Sequence, residues 1–378
     1  MEFVMILLII CAVVWAEGQF YRKNAFDKLE YRCFFSKDEA MEGDEIELVE
    51  EVSNGKFLPL PWLKAEISTS RWLDFAGSQS LVTEDSRFVP SFFMMKSRHR
   101  VVRRWKVKCL KRGEYHLDTV VLIATDLLGS VAPSISVEPH AKLTVLPRPV
   151  DMELGFQKVR SDSGPVTVRR HLLPDPFLIA GVREYDPRQS ANRIHWMATA
   201  RTGKLMVHRN EYSADQTLAV ILNVQSREFE HTRPMHSERV EEAIRACAGF
   251  LDDTLASGIP SALMANASLT DGQEPLATGF AWGREHVWEL LHLLARLPLE
   301  NTREFSEYLR SDCAKIHPSD LVLVTPYLCD GILEYALLRQ AEGIRVKLVC
   351  TSPGLPENLP DSLEIFQFWR KEGAHEHW

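Results

Sequence analysis

Short apolar segments alternate with amphipathic ones in the second half of the chain, and this alternation constrains the fold more than any other feature. Residues 218–224 form an apolar run typical of a strand buried on both faces of a parallel sheet. Further strands are predicted at 259–265, 321–325 and 345–350, and helices at 237–257, 284–297, 302–313 and 330–342. This order predicts a doubly wound α/β domain over residues 213–370, followed by a tail at 371–378, with any site at the carboxyl ends of the strands.

The first half of the chain has a different period. Between residues 29 and 149, short segments alternate polar with apolar residues, as in Glu45–Val49 and Arg104–Cys109. Several short strands without a helical period predict a β-sandwich of immunoglobulin or fibronectin type, which offers surfaces and edges rather than a pocket. A chain of 378 residues exceeds the usual size of one hydrophobic core, so two folded domains are expected.

An uninterrupted apolar run covers Phe3–Ala16 and approaches the length required to cross a bilayer. We therefore predict a transmembrane anchor over residues 1–21, with residues 3–20 in the membrane. Basic residues follow the run and only Glu2 precedes it, so the positive-inside rule predicts a single-pass protein of the cell membrane whose soluble part is cytoplasmic. A cleaved signal peptide is the alternative, because Val14–Ala16 resembles a cleavage site, although no Lys or Arg precedes the run.

Composition argues against several classes of protein. The seven cysteines stand singly, without a C-x-x-C pair, which favours neither a disulfide framework nor a zinc site and predicts a reducing compartment. The net charge of −8 argues against a dedicated nucleic-acid binder. No cofactor is expected, since the P-loop and dinucleotide-binding motifs are absent from the sequence.

One segment of the first half, residues 87–112, is strongly basic and contains no carboxylate. Beside a membrane anchor, this excess of positive charge predicts contact with anionic lipid headgroups near Arg98, Arg100, Arg103 and Arg104. The alternative is a solvated sheet face whose charges discourage pairing of exposed strand edges.

A Pro-rich linker is predicted at 150–177, and the segment at 178–212 mixes arginines with aromatic residues. Guanidinium groups stack on aromatic rings and form paired hydrogen bonds with carboxylates. We therefore predict that Arg183, Tyr185, Trp196 and Arg201 clamp the linker against the α/β domain.

The segment resembles the signature of the bacterial family called domain of unknown function 58. The residues that match are Gly181, Arg183, Tyr185, Pro187, Ile194, Trp196, Ala200, Arg201, Gly203, Leu205, Val207 and Glu211. The chain departs from the signature at Arg188 and Gln189, where the family has Gly-Asp, and at Asn192, where it has Arg.

This resemblance implies that the α/β domain is similar to von Willebrand factor A domains. Their metal site has D-x-S-x-S after the first strand and a second Asp after the fourth, and the aligned residues here are Asn223, Gln225, Arg227 and Thr325. A hard divalent ion prefers oxygen ligands with net negative charge, so this degenerate site predicts no bound metal. The Ser226 hydroxyl leaves the alternative open.

The resemblance also implies a partner, because members of the family commonly accompany MoxR-type AAA+ ATPases. The predicted function is a membrane-anchored, non-enzymatic interaction or scaffold protein, working as an adaptor in protein assembly or maturation. One alternative is a hydrolase that uses Cys313 with His317, Cys329 with Asp330, or Ser226 with a histidine. Another is an extracellular adhesin, which requires the opposite membrane topology.

Overall fold

The computed structural model describes residues 2–117, 119–126, 128–150, 156–158, 179–184, 196–210, 217–231, 233–269, 274–356 and 359–368. The chain divides into two compact units, Met1–Leu146 and Pro147–Trp378. Most of the linker predicted at 150–177, and the tail predicted at 371–378, lie outside the described residues.

The first unit begins with helix α1 (Glu2–Asn24) and continues as β-strands. These are β1 (Leu29–Phe35), β2 (Glu39–Met41), β3 (Glu45–Asn54), β4 (Leu60–Ser70), β5 (Leu73–Phe75), β6 (Leu81–Val82), β7 (Ser86–Met95), β8 (His99–Cys109), β9 (Gly113–Leu117), β10 (Val120–Thr125), β11 (Ser134–Val137) and β12 (Ala141–Leu146). They form three sheets, in the orders β1-β3-β8-β5, β11-β10-β4-β7-β6 and β2-β12-β9.

Alternation along the strands decides which side chains enter the core. In β4, Leu63, Ala65 and Ile67 are fully buried while the intervening Lys64 and Glu66 point outward. Buried residues from all three sheets form one hydrophobic cluster, and each fully buried Leu or Ile contributes about 1.5–3 kcal/mol. The sheet-rich first unit that the period-two pattern predicts is therefore confirmed.

A buried carboxylate joins two of these sheets. Glu50 of β3 is fully buried, and it accepts hydrogen bonds from Tyr31 Oη at 2.8 Å, Ser91 Oγ at 2.6 Å and Trp105 Nε1 at 2.6 Å. A buried charge is costly unless donors satisfy it, and these three donors do so. Because Ser91 belongs to β7 of the opposite sheet, the network fixes how the two sheets face each other.

Three of the four arginines predicted to contact lipid have partners inside the first unit. Strand β3 carries glutamates and lies beside β8, so their carboxylates face basic residues across the ladder. The contacts are Arg100 with Glu51 (2.5 Å), Arg104 with Glu47 (3.1 Å), and Arg103 with Ser91 (2.6 Å). Arg98 is exposed and lies just before β8, so the structure leaves it as the most available of the four.

Helix α1 is, by length and composition, able to cross a membrane from Phe3 to Asn24. It is the one such helix in the part of the chain that the structure describes. A signal sequence near the N-terminus would have the same length and composition, so these properties fit an anchor or a signal sequence equally.

The second unit is an α/β structure. Its strands are β13 (Phe156–Lys158), β14 (Ile179–Glu184), β15 (Met206–Asn210), β16 (Leu218–Leu222), β17 (Ser261–Ala265), β18 (Leu276–Ala277), β19 (Asp320–Thr325), β20 (Arg345–Cys350) and β21 (Glu364–Phe368). Its helices are α2 (Trp196–Thr202), α3 (Ser237–Ser257), α4 (Arg284–Arg296), α5 (Phe305–Ser311) and α6 (Asp330–Ala341), with a 3-10 turn at Cys313–Lys315.

The main sheet of this unit has the order β13-β21-β20-β19-β16-β17-β18. The five strands from β21 to β17 are parallel, and the edge strands β13 and β18 are antiparallel to their neighbours. Residues 156–158, predicted as linker, thus form an edge strand of this sheet. The chain runs outward from β16 to one side and then returns to β19 on the other, so the sheet is doubly wound as predicted.

Six apolar residues on one face of α3 are fully buried. They are Val240, Ala243, Ile244, Cys247, Phe250 and Leu251, each 0% exposed. The helix begins at Ser237 and is followed by Gly258, whose φ of 70° is the left-handed conformation that commonly ends a helix.

Arg339 of α6 is a large side chain that is only 2% exposed. Its guanidinium group donates to the carbonyl oxygens of Ile316 and Ala314 and pairs with Glu342 Oε2 at 2.6 Å. It also lies 5.9 Å from the centroid of the Tyr335 ring. Arg339 therefore connects α6 to the turn that follows α5 and satisfies carbonyl groups that would otherwise be buried without donors.

Arg339→Met is expected to destabilise the second unit by about 3 kcal/mol, because methionine fills the space but leaves those carbonyls unsatisfied. Thermal unfolding of the purified protein in detergent measures the effect, expected as a fall of roughly 6–12 °C. Arg310→Met is the matched control, since the Arg310–Glu334 pair is exposed and worth about 1 kcal/mol or less. Equal shifts for the two variants would contradict the structural role of Arg339.

Candidate functional site

Three polar residues meet at the carboxyl edge of the main sheet. Asn223 follows β16, Asn266 follows β17, and Thr325 is the last residue of β19. Because these three strands are parallel neighbours, their carboxyl ends lie side by side. All three side chains are fully buried.

The side chains at this edge satisfy one another. Asn223 Nδ2 donates to Thr325 Oγ1 at 3.0 Å, and Asn223 Oδ1 accepts from the backbone N–H of Gln225 at 2.9 Å. Asn266 Oδ1 accepts from the N–H of Val224 at 2.9 Å, while its Nδ2 lies 3.3 Å from Gln225 Oε1. We name Asn223, Gln225, Asn266 and Thr325 the amide network. It is uncharged and internally hydrogen bonded.

Gln225 extends the amide network to the next helix. Its Oε1 accepts from the N–H of Phe305 at 2.7 Å, at the start of α5, and its Nε2 donates to the carbonyl oxygen of Glu230 at 2.8 Å. The Gln225 amide thus accepts from one backbone group and donates to another. An ionised carboxylate at this position could not do both, because it has no donor.

A second buried pair controls the loop between β16 and α3, which we call the Phe229 loop (residues 227–231 and 233–236). The Ser226 N–H donates to Glu230 Oε2 at 2.6 Å, and Ser226 Oγ lies 3.0 Å from both carboxylate oxygens. The N–H groups of Met235 and His236 donate to Glu230 Oε1 and Ser226 Oγ respectively. Both ends of the loop are therefore held by the Ser226–Glu230 pair.

The Phe229 loop directs apolar side chains into solvent. Phe229 is 74% exposed and has a φ of 55°, a conformation unfavourable for a bulky residue, and Met235 is also exposed. Beside them lies a shallow, open groove lined in part by Arg233, Pro234 and Leu299. An exposed aromatic side chain on a loop anchored by buried hydrogen bonds is suited to contact with a protein.

The structure brings together three of the four residues predicted for the degenerate metal site. Asn223, Gln225 and Thr325 lie in the amide network, but the Arg227 side chain is 58% exposed and lies 4.0 Å from Glu230 Oε1. Arg227 thus points away from the network instead of placing its charge inside it.

Sequence reasoning missed Asn266 and Glu230. Asn266 directly follows a buried strand, and that position at the sheet's carboxyl end is a signal that would have found it. Glu230 gave no signal, because a glutamate in a loop is normally solvated and only the fold shows that this one is buried.

The amide network is poor in groups that hold metal ions. Within the described ranges, no three His, Cys, Asp or Glu side chains are grouped so that they could hold a metal ion. The side-chain oxygens of Asn223 and Asn266 already accept hydrogen bonds, and the Glu230 carboxylate accepts from Ser226 and Met235.

Burial disfavours the thiolate form of the cysteines in the hydrolase alternatives. Burial raises the pKa of the Cys313 thiol to about 12, and it raises the pKa of Cys350, a buried cysteine outside those alternatives, to about 11. Burial also raises the pKa of Cys329, which is half-buried, while His317 is exposed. A nucleophilic cysteine requires a lowered pKa, so these thiols favour the neutral, unreactive form.

The residues predicted as a clamp have a different placement. Trp196 begins α2 and is 70% exposed, and Arg201 near the end of that helix is exposed as well. Strands β14 and β15 pair with each other on either side of α2, with Gly181 and Arg183 in the first of them. Exposure of Trp196 and Arg201 does not favour a buried clamp.

Several residues of the family signature lie outside the part of the chain that the structure describes. Tyr185, Pro187, Ile194 and Glu211, together with the departures at Arg188, Gln189 and Asn192, lie outside the described residues. Ala200 is exposed in α2, and Gly203 has a φ of 71°, which explains the need for glycine after this helix.

An apolar N-terminal helix, a sheet-rich first unit and a doubly wound α/β second unit define the class of this protein. Residues 181–350 of the chain match the family described as "Protein of unknown function DUF58". This match confirms the resemblance inferred from the signature residues.

One curated relative is "Uncharacterized protein YeaD" of Bacillus subtilis (strain 168), which is 25% identical over 230 residues. The alignment covers 60% of this chain and 53% of the relative, so the chain spans about half the length of that protein.

Similar solved structures include a non-cellulosomal cohesin from Archaeoglobus fulgidus, at 12% identity and a TM-score of 0.22, covering 31% of this chain and 91% of that one. Another is Spo0M, a sporulation control protein from Bacillus subtilis, at 16% identity and a TM-score of 0.20, covering 35% of this chain and 57% of that one. At these TM-scores neither likeness carries an argument about function.

Asn223→Asp tests whether the amide network depends on its donors. Aspartate has no N–H group for Thr325 Oγ1 and buries a negative charge, so a loss of about 2–4 kcal/mol is expected in thermal unfolding. Gln340→Glu, the same amide-to-acid change at a partly exposed position of α6 whose hydrogen bond to the Ser362 carbonyl lies at the surface, is expected to cost less than about 1 kcal/mol.

The same measurement with millimolar Mn²⁺ added addresses the metal question. The wild-type protein is expected to show no change in its unfolding temperature, whereas a saturable rise would contradict the prediction of a metal-free site.

Alkylation by iodoacetamide tests the thiols. In the native protein at neutral pH, Cys313 and Cys350 are expected to remain unmodified, because roughly one thiol in ten thousand or fewer is ionised at their raised pKa values. After denaturation both should react fully, which mass spectrometry of peptides detects. Rapid native labelling of Cys313 or Cys329 would instead favour a thiol-dependent hydrolase.

Proposed function

We propose that this chain is a membrane-anchored, non-enzymatic interaction protein whose second unit presents the Phe229 loop to a protein partner. The observation that carries the proposal is the exposure of Phe229 on a loop whose base is fixed by the buried Ser226–Glu230 pair. A pre-organised apolar residue loses little conformational entropy on binding, and aromatic residues dominate the energetics of many interfaces.

The amide network supports a binding role over catalysis. General acid–base and nucleophilic chemistry require groups that are free to exchange protons with a substrate. At this edge the Ser226 hydroxyl is 1% exposed and is engaged by the Glu230 carboxylate and by the N–H of His236. These contacts stabilise the loop and leave Ser226 poorly placed to attack a substrate.

The likeness to von Willebrand factor A domains is part of this proposal. That resemblance aligns the residues after the first and fourth strands of the α/β domain predicted over residues 213–370, and here those strands are β16 and β19. The hydrogen bond between Asn223 and Thr325 joins the two positions, which supports the alignment. In this proposal an uncharged network replaces the metal site and keeps the loops in place.

The proposed partner is a MoxR-type AAA+ ATPase, because the family that this chain resembles commonly accompanies such ATPases. The proposed setting is the cell membrane, with α1 as the anchor and both units in the cytoplasm. Support for this orientation comes from Arg22 and Lys23, which form the basic end of α1.

Binding of a purified MoxR-type ATPase from the same genome tests the proposal. Phe229→Ser is expected to weaken binding by about tenfold or more, while the unfolding temperature stays within about 2 °C of the wild type. Biolayer interferometry with the full-length protein in nanodiscs, with ATP and then with ADP, measures the affinity and its dependence on nucleotide.

Leu338→Ser is the matched control, since Leu338 is an exposed apolar residue on α6 of the same unit. Unchanged binding is expected for that variant. Equal affinities of Phe229→Ser and the wild type would exclude the Phe229 loop as the contact surface, and no binding by the wild type would exclude this partner.

A further inference from the structure

The last turns of α1 belong to the core of the first unit. Tyr21 and Ala25, just beyond the apolar run, are buried in the same hydrophobic cluster as the strands. Tyr21 Oη donates to the carbonyl oxygen of Thr125 at 3.0 Å, at the end of β10. A Cβ atom on Gly18 would lie 2.9 Å from Val131 Cγ2, so glycine permits the connection between β10 and β11 to approach the helix.

The carboxyl end of α1 is closed by a lysine from the sheet region. Lys56 Nζ donates to the carbonyl oxygen of Asn24 at 2.8 Å and to that of Ala25. Asn24 is the last residue of α1, and its carbonyl oxygen also accepts from the N–H of Asp27 at 3.3 Å. A positive charge at this end complements the helix dipole. The direction in which α1 leaves the first unit is thus fixed by buried contacts.

Strand registers show that these contacts all lie at one end of the first unit. Leu29 at the start of β1 pairs with Asn54 at the end of β3, and Asn54 also pairs with His99 at the start of β8. In the other sheet, Trp62 near the start of β4 pairs with Thr125 at the end of β10. We call this the α1 end. The strands leave it and finish at the opposite end, where Ser70 pairs with Ser86 and Gly43 bonds to Cys109. At about 3.3 Å per residue, β4 separates the two ends by about 35 Å.

Charge differs between the two ends. The α1 end has a small excess of basic residues, with Lys28, Lys56, Lys96, Arg98 and Arg100 accompanied by Asp27, Glu30, the buried Asp126 and Glu51, which pairs with Arg100. The opposite end is nearly balanced, with Asp38, Glu39, Glu42, Asp44, Glu45, Glu84 and Asp85 accompanied by Lys37, Arg71, Arg87, Lys108, Lys111 and Arg112. The end with the basic excess is the one from which the apolar helix departs.

Exposed apolar residues surround the same helix end. Phe57 is 81% exposed in the connection beside Lys56, Trp62 is 59% exposed opposite Thr125, and Leu128 is 62% exposed in the connection that approaches Gly18. Tryptophan and phenylalanine with adjacent Lys and Arg are the composition typical of a membrane–water interface.

We propose that the α1 end of the first unit rests on the membrane surface, with Phe57, Trp62 and Leu128 in the interfacial layer and Lys96 and Arg98 on anionic lipid headgroups. The inference rests on the proposed role of α1 as an anchor, and it adds an orientation. The first unit stands end-on, because the helix that enters the bilayer leaves from this end alone. Arg103 and Arg104 face partners within the unit and contribute little to the contact.

Depth-dependent fluorescence quenching tests the orientation in the full-length protein, reconstituted in nanodiscs that contain phosphatidylglycerol. Lipids carry bromine either near the headgroup end or near the terminus of the acyl chain, and single Trp→Phe variants assign the quenched signal. Trp62 is expected to be quenched at least twofold more strongly by bromine near the headgroups than by deep bromine. Trp72, at the opposite end, is the matched control and is expected to show no quenching.

Trp15 within α1 separates failure of this inference from failure of the anchor. Quenching of Trp15 by bromolipid without any quenching of Trp62 would overturn the end-on contact and leave the anchor intact. If neither tryptophan is quenched, the anchor itself is wrong and the inference falls with it.

The headgroup contact has its own test. The combined change Lys96→Gln and Arg98→Asn is expected to reduce the quenching of Trp62 in phosphatidylglycerol nanodiscs to the level seen in phosphatidylcholine. Lys37→Gln, at the opposite end, is expected to leave it unchanged. Equal quenching in the double variant and the wild type would overturn the contact of Lys96 and Arg98 with anionic headgroups.

Discussion

Satisfaction of buried polar groups at the carboxyl edge of the main sheet is the constraint on which the second unit depends. Parallel strands end side by side, so their last residues bring backbone and side-chain polar groups into a small buried volume. Asn223, Asn266 and Thr325 meet this requirement with hydrogen bonds among themselves. Gln225 carries the same network to the start of α5. The network needs no ion to balance charge, because every member is neutral.

In the first unit, buried polar groups are satisfied around a carboxylate. Glu50 lies between two sheets and accepts donors from Tyr31, Ser91 and Trp105, so one carboxylate specifies how strands distant in sequence come together. Glu230 likewise accepts several hydrogen bonds and thereby fixes the base of the Phe229 loop. In both places a buried carboxylate that accepts several hydrogen bonds holds a fixed geometry, while the residues nearby remain available for contact at the surface.

Periodicity predicted the elements more closely than the contacts. The helix at Ser237–Ser257 and the strand at Arg345–Cys350 lie where the pattern places them, because burial imposes a pattern on the local sequence. The edge strands Phe156–Lys158 and Leu276–Ala277 escaped detection because they are too short to show a period. The basic run of β8 was incompletely interpreted, because the glutamates that pair with it lie about fifty positions earlier on β3.

The sequence by itself determined the class of each region: an apolar helix, a sheet-rich unit, an α/β unit, and uncharged amide residues directly after the first buried strand of that unit. These properties follow from local composition and period, because burial of an apolar face imposes a recognisable pattern on the sequence. The tertiary structure alone decided that Glu230 is buried, that Phe229 is exposed, and that α1 leaves from the more basic end of the first unit. Such facts depend on contacts between residues far apart in the chain, because the register and neighbours of each strand are set by the packing of the whole unit.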